Sequence, residues 1–249
     1  MKTTGNTVLI TGGGTGIGLA LAEAFCEAGN EILICGRRRN RLDAARRRLP
    51  KLHAFRCDVT DPSQRRALFD WATKRFPDVN ILINNAGIQR EIDFTTARRL
   101  RGREDEIETN LRAPIQLAAL FIPHLMKRRQ AAIINISSGL GFIPIAVMPV
   151  YCATKAAIHS FSLSLRHQLK ETAVRVFEII PPMVDTELDK GARGRRGGEE
   201  RGIKPKVAAL ATLRALEKNQ YELAVGQAES LRMGARKNPE QLFRMMNGA

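Results

Sequence analysis

"VLITGGGTGIGLALAEAF", residues 8–25, is the stretch on which the reading of the fold turns. A short aliphatic run ends in a glycine-rich turn, and small and apolar residues at helical spacing follow at once. The pattern predicts strand, tight turn, helix. Gly12, Gly16 and Gly18 stand at G-x-x-x-G-x-G spacing, which differs from the G-x-G-x-x-G fingerprint but serves the same physics. Without side chains the turn closes tightly, and a pyrophosphate reaches backbone N–H groups at a helix N-terminus. A plain strand-to-helix turn also uses glycines; the position straight after the first strand favours the dinucleotide reading.

The same rhythm continues outward from this unit. Strand candidates fall at 7–11, 31–35, 53–59, 80–84, 131–137, 174–180 and 221–225. They are rich in Ile, Val and Leu and apolar on both faces, as strands of a sheet covered on both sides must be. Amphipathic segments such as "SQRRALFDWATKRF" (63–76) separate them. The alternation predicts an α/β fold, a Rossmann-type doubly wound parallel sheet of about seven strands with helices on both faces. We read residues 1–249 as a single domain. Residues 189–206 are Gly-rich, charged and without apolar period, and are expected to form a lid over the substrate site. Residues 227–249 form a basic C-terminal tail with a broken helical pattern and no assigned role.

Composition narrows the function. Hydrophobic residues make up 44% and charged residues 26%, ordinary values for a soluble globular protein. No apolar run is long enough to span a membrane, and the start lacks a secretory signal, so a cytoplasmic protein without membrane partners is expected. The four cysteines and four histidines show no ligand spacing, which argues against structural disulfides and a catalytic metal. The net charge of +15 raises the case for a polyanionic partner. Its arginines are scattered in several clusters, however, and aromatic residues are only 5%, leaving little for base stacking. Solvated faces are the better reading, and no nucleic acid is expected.

"PVYCATKAA" (149–157) places Tyr151 and Lys155 one helical turn apart. Residues i and i+4 share a face, so phenol and ammonium can project into one site. A nearby ammonium favours the phenolate, and lowering a phenol pKa by roughly 3 units takes about 4 kcal/mol. The bland alternative is a helix with one buried aromatic and one solvent-facing lysine.

"TGGGTGIG" (11–18), "CDVT" (57–60), "NNAG" (84–87), "NISSGLG" (135–141) and "YCATK" (151–155), in this order, resemble the short-chain dehydrogenase/reductase family over residues 6–226. Within it, "NTVLITGG", "NNAGIQ", "PVYCATKAA" and "PPMVDTEL" are similar to the DltE-like oxidoreductase subgroup. The resemblance implies an NADP(H)-dependent carbonyl reductase or alcohol dehydrogenase with a small or medium carbonyl or alcohol substrate. It implies cofactor contacts at Gly12, Thr15, Gly16 and Ile17, and at Asp58 and Val59 beside the adenine. Asn84, Ala86 and Gly87 are implied beside the adenosine, with Asn85 read as structural. Val184 and Thr186 are implied near the nicotinamide, although Pro182 stands where the family usually has glycine. The implied catalytic set is Asn110, which holds a water linked to the lysine; Ser138, which hydrogen-bonds the substrate oxygen, with Ser137 as its rival; Tyr151; and Lys155, the last two also contacting the cofactor. Leu140, Phe142, Val147, Met148 and Met183 would line an apolar pocket, with Gln89 and Arg90 as polar candidates. A homodimer or homotetramer is implied as well.

The end of the second strand, "EILICGRRRNRL" (31–42), bears on the cofactor. Gly36 stands where an NAD site usually carries a carboxylate for the ribose hydroxyls, and Arg37 and Arg38 follow. A guanidinium there can bind a 2′-phosphate bidentately, which points to NADP(H). Arg37 is the first choice and Arg38 the second by register with the family; Arg39 and Arg41 are read as the solvent-facing start of the next helix. Two rival functions remain in view: a dinucleotide-binding redox sensor, which has no need of the catalytic set, and a nucleic-acid-binding protein.

Overall fold

The computed structural model describes residues 1–96, 105–188 and 202–248. β1 (Thr7–Thr11) runs through the glycine turn into α1 (Gly16–Glu27), followed by β2 (Glu31–Gly36), α2 (Arg39–Arg48), β3 (His53–Arg56), α3 (Pro62–Arg75) and β4 (Val79–Asn84). A π-helical turn (Glu108–Arg112) leads into α4 (Ala113–Leu125) and then β5 (Ala131–Ile136). A short 3-10 turn (Gly139–Gly141) precedes α5 (Pro149–Gln168) and β6 (Val174–Ile180). After α6 (Pro205–Glu217) and β7 (Glu222–Ala224) come α7 (Gln227–Lys237) and α8 (Pro239–Met246).

The strands form one seven-stranded sheet in the order β3-β2-β1-β4-β5-β6-β7. Every pairing is parallel. All seven expected strands are present, with altered ends. β3 stops at Arg56 because Asp58 Oδ1 accepts from Thr60 N (3.0 Å) and Thr60 Oγ1 (2.8 Å), which turns the chain out of the sheet.

Side-chain alternation divides the core. Val8 and Ile10 point to one face, with Leu21 and Phe25 of α1 and Leu216 of α6. Leu9, Leu33 and Leu82 point to the other, with Leu68 of α3, Phe121 of α4 and Leu165 of α5. Strands buried on both faces must be apolar throughout, which is why β1, β2 and β4 read as unbroken aliphatic runs. No helix among the described residues is long and apolar enough to cross a membrane. Of the segment read as a lid, residues 189–201 lie outside the described residues. Ile203 forms a parallel bridge with Val184, and Pro205 opens α6.

Strand order reverses between β1 and β4, so a crevice opens beyond their C-terminal ends. The glycine turn fits there only because side chains are missing. Gly12 has φ +66°, and a Cβ on it would stand 2.9 Å from Ala86 Cα. A Cβ on Gly18 would overlap the Gly12 carbonyl and the Asn85 amide. Overpacking of this kind costs about 1–3 kcal/mol, so Gly18→Ala should lower unfolding free energy by that much in urea titrations. An unchanged midpoint would mean that the turn has slack the structure does not show.

Candidate active site

The crevice is a cleft of about 1340 Å³ running from the β2–α2 turn across the sheet to the C-terminal helices. Gly12, Thr15, Gly16 and Ile17 line one part of it, with the N-terminus of α1 opening at Gly16. Asp58, Val59, Ala86 and Gly87 line it from the ends of β3 and β4. Asn84 lies behind this wall, buried, its Nδ2 donating to Asn135 Oδ1 at 2.9 Å. Asn85 faces the cleft, and its Nδ2 donates to Thr11 O at 2.9 Å. The turn is a cradle that a Cβ would fill, at a helix N-terminus, and it fits a dinucleotide pyrophosphate.

At the β2 end, Gly36, Arg37 and Arg38 line the cleft. Arg38 donates through Nη2 to Thr15 Oγ1 (3.1 Å) and through Nη1 to Glu187 Oε2 (3.0 Å). Arg39 faces solvent and pairs with Asp43, as read from the sequence. Arg41 departs from that reading: it lines the cleft and its Nη2 donates to Glu187 Oε1. α2 begins at Arg39, so Arg41 and Arg38, three residues apart, come to one face.

On the other side, Ser138, Tyr151 and Lys155 line the cleft together. α5 starts with Pro149 in its first turn, which fixes the entry of the helix and carries Tyr151 and Lys155 on one buried face. Lys155 Nζ lies 5.6 Å from the Tyr151 ring centroid and donates to Ile136 O at 2.8 Å. Burial pushes the lysine pKa down to about 8, with Glu178 opposing the shift. Ser138 Oγ accepts from Leu140 N at 3.1 Å, leaving the hydroxyl proton for another acceptor. Ser137 differs: its hydroxyl donates to Glu178 Oε1 at 2.5 Å. Asn110 sits in the π-helical turn, behind the lining, where its Oδ1 accepts from Ile88 N (2.9 Å) and its Nδ2 donates to Ile88 O (2.8 Å). A Cβ on Gly87 would stand 3.4 Å from Asn110 Oδ1 and 3.8 Å from Lys155 Nζ, so both groups converge on that glycine. Val184 and Thr186, after β6, also line the cleft.

The profile of the short-chain dehydrogenase family matches residues 6–196. The chain belongs to the short-chain dehydrogenase family. It is 52% identical over 248 residues to the uncharacterized oxidoreductase DltE of Bacillus subtilis, covering 99% of this chain and 98% of that protein. A short-chain dehydrogenase from Burkholderia cenocepacia, solved with NADP, superposes with a TM-score of 0.84 at 27% identity, covering 99% of each chain. A member from Burkholderia phymatum, solved with NAD, superposes at 0.83 with 22% identity, covering 96% of this chain and 98% of that one. This short-chain dehydrogenase is thus an oxidoreductase with the fold expected from its sequence.

Two features at or beside the cleft lie beyond what the sequence pattern revealed. Glu178 of β6, fully buried, takes the Ser137 hydroxyl on one oxygen and His159 Nδ1 on the other at 2.8 Å. Lys155 and His159 are one turn apart on α5, and their partners Ile136 O and Ser137-bound Glu178 attach to successive residues at the end of β5. His159, Glu178 and Glu222 bring ligand atoms within 4.8 Å of one another, but Glu222 is already paired with Arg232. No local pattern announces this cluster, because its members come from the turn after β5 and from β6, β7 and α5.

The second feature is the C-terminal tail. It folds as α7 and α8, and Leu231, Met246 and Asn247 line the cleft. Asn247 Nδ2 donates to Pro144 O at 3.3 Å, and Ala146 N donates to Asn247 Oδ1, which ties the tail to the loop before α5. Asn238 followed by Pro239 was the available signal: Asn238 Oδ1 caps α8 by accepting from Gln241 N at 3.1 Å. Leu140, Val147, Met148, Met183 and Gln89 line the cleft as expected, while the Phe142 ring instead lies tilted against His159, with centroids 4.6 Å apart.

The hydrogen bond to Glu178 raises the His159 pKa above its usual value. A raised folded-state pKa gives stability that is fully present below the unfolded value of about 6.5 and is lost as pH rises through the folded one. Glu222 favours the imidazolium too, while burial and Arg166 oppose it. In urea unfolding, His159→Gln should therefore cost more at about pH 6 than at about pH 9. Equal costs would show that the charged form contributes nothing.

Proposed function

We propose that this chain transfers hydride between NADP(H) and a small or medium carbonyl or alcohol, with Tyr151 as general acid in reduction and general base in oxidation. The observation that carries the reading is the Tyr151 phenol beside a buried lysine, in a cleft that continues to a glycine-turn cradle. Gly12, Thr15, Gly16, Ile17, Asp58, Val59, Ala86, Gly87, Val184 and Thr186 are the residues that would hold the dinucleotide. A bound nicotinamide supplies hydride in reduction and accepts it in oxidation.

The chain's own residues do the rest. Ser138 directs its hydroxyl proton at the substrate oxygen and holds it beside the phenol. Tyr151 gives that oxygen a proton as negative charge develops there, or takes one from an alcohol. The Lys155 ammonium stabilises the phenolate; at an effective dielectric near 20 a unit charge pair at 4 Å is worth about 4 kcal/mol, the amount a three-unit shift requires. With its own pKa near 8, Lys155 can pass a proton on, and Asn110 stands beside Gly87 to steady a water for that relay. Leu140, Val147, Met148, Met183 and Met246 exclude water and select a substrate with an apolar part. The NADP(H) preference rests on Gly36 and on the guanidiniums of Arg37, Arg38 and Arg41 in the cleft. A homodimer or homotetramer remains part of the proposal.

Tyr151→Phe keeps the ring and removes the proton. Turnover on any accepted carbonyl should fall about 100-fold or more, with NADPH affinity within a few-fold of wild type. Retention of a tenth of kcat would remove Tyr151 from this role. Replacing both Arg37 and Arg38 by Ala should weaken NADPH at least about tenfold and leave NADH nearly unchanged. Equal loss for both dinucleotides would contradict the phosphate assignment.

A further inference from the structure

The loop after β6 carries one carboxylate across the mouth of the cleft to the β2–α2 turn. Glu187 Oε2 accepts from Arg38 at 3.0 Å, its Oε1 accepts from Arg41, and all three side chains line the cleft. The other Nη of Arg38 reaches Thr15 Oγ1 on the glycine turn. Thr186, the residue before, packs against the same turn: a Cβ on Gly16 would stand 3.1 Å from its methyl carbon. A carboxylate gripped by two guanidiniums that face into a cleft presents the charge sign and the paired oxygens of a phosphate.

We propose that Glu187 is a cofactor-discriminating residue: its carboxylate competes with the ribose 2′-phosphate of the cofactor for Arg38 and Arg41. The proposal rests on the NADP(H) reading given above. A phosphorylated dinucleotide must displace Glu187 from the arginines, whereas an unphosphorylated one leaves the pairs in place. The preference for NADP(H) is therefore smaller than the arginines alone would give. The displaced residue also belongs to the loop that packs on Gly16, so the 2′-phosphate alters a contact of the pyrophosphate turn from the far end of the cofactor. The Glu187, Arg38 and Arg41 side chains keep 39%, 56% and 44% of their surface exposed, so the competition is screened and its effect modest.

The test is equilibrium binding of NADPH and NADH to the full chain, followed by calorimetry or ligand fluorescence. Glu187→Gln keeps the size and the acceptor oxygen but removes the charge. It should tighten NADPH about three- to tenfold and change NADH less than about twofold, with the gain shrinking as salt is raised. In an Arg38→Ala, Arg41→Ala background the same substitution should have no effect. Unchanged NADPH affinity, or equal tightening of both dinucleotides, overturns the proposal. Arg38→Ala, Arg41→Ala alone separates the two levels. If it weakens NADPH while Glu187→Gln does nothing, only the competition fails. If the wild-type chain itself binds NADPH no more tightly than NADH, the NADP(H) reading fails, and the competition with it.

Discussion

The Thr11 side chain ties together the two strands between which the cleft opens. Its hydroxyl oxygen accepts from the backbone N–H groups of Asn85 and Ala86 at 3.0 Å each, and the hydroxyl donates to Ile83 O at 3.3 Å. Asn85 answers with its amide on Thr11 O. These bonds lock the C-terminal ends of β1 and β4 together at the point where strand order reverses. The glycine turn must then pass within contact of Ala86, which is why a Cβ at Gly12 or Gly18 has no room. The same clamp sets Gly87, the residue on which Asn110 and Lys155 converge. The glycine turn and the cleft wall beside Lys155 are thereby built from one fixed junction.

Charge is distributed along the cleft to match that junction. Arginines stand at the β2 end and a buried lysine at the α5 end. Burying an ammonium is expensive unless it is hydrogen-bonded and compensated, and Lys155 has both Ile136 O and the nearby Glu178 carboxylate. Glu178 is itself held by Ser137 of the cleft wall and by His159 behind it, so the lysine's environment is fixed partly from outside the cleft lining. The two adjacent serines of the cleft wall are bonded differently, for the Ser137 hydroxyl donates to Glu178 whereas Ser138 Oγ accepts from Leu140 N.

Local periodicity made much of this legible. Aliphatic runs located all seven strands, the glycine spacing located the cradle, and i,i+4 spacing put Tyr151 and Lys155 on one face. What escaped depends on relations between elements. Arg41 looked like a solvent-facing helix start because the phase of α2 relative to the cleft is a packing outcome. Asn84 and Asn85 are adjacent in sequence, yet only Asn85 faces the cleft, and the strand alternation near a turn decides which. The Ser137–Glu178–His159 chain spans three elements. The tail buries few residues and meets the cleft only through tertiary packing, so the place of α7 and α8 escaped, although Asn238 and Pro239 marked the start of the second.

The central claim is that Lys155 makes the Tyr151 phenol more acidic. The chain has two tyrosines, so Tyr221→Phe leaves Tyr151 as the only phenol, and its ionisation can be followed by the ultraviolet absorbance of tyrosinate against pH. Because lysine and phenol titrate as a pair, the optical signal identifies which of them gives up the first proton. The account predicts tyrosinate appearing well below the ordinary phenol pKa of about 10, and a shift back upward when Lys155 is replaced by Met. Titration at about 10 or above, unmoved by Lys155→Met, would contradict it.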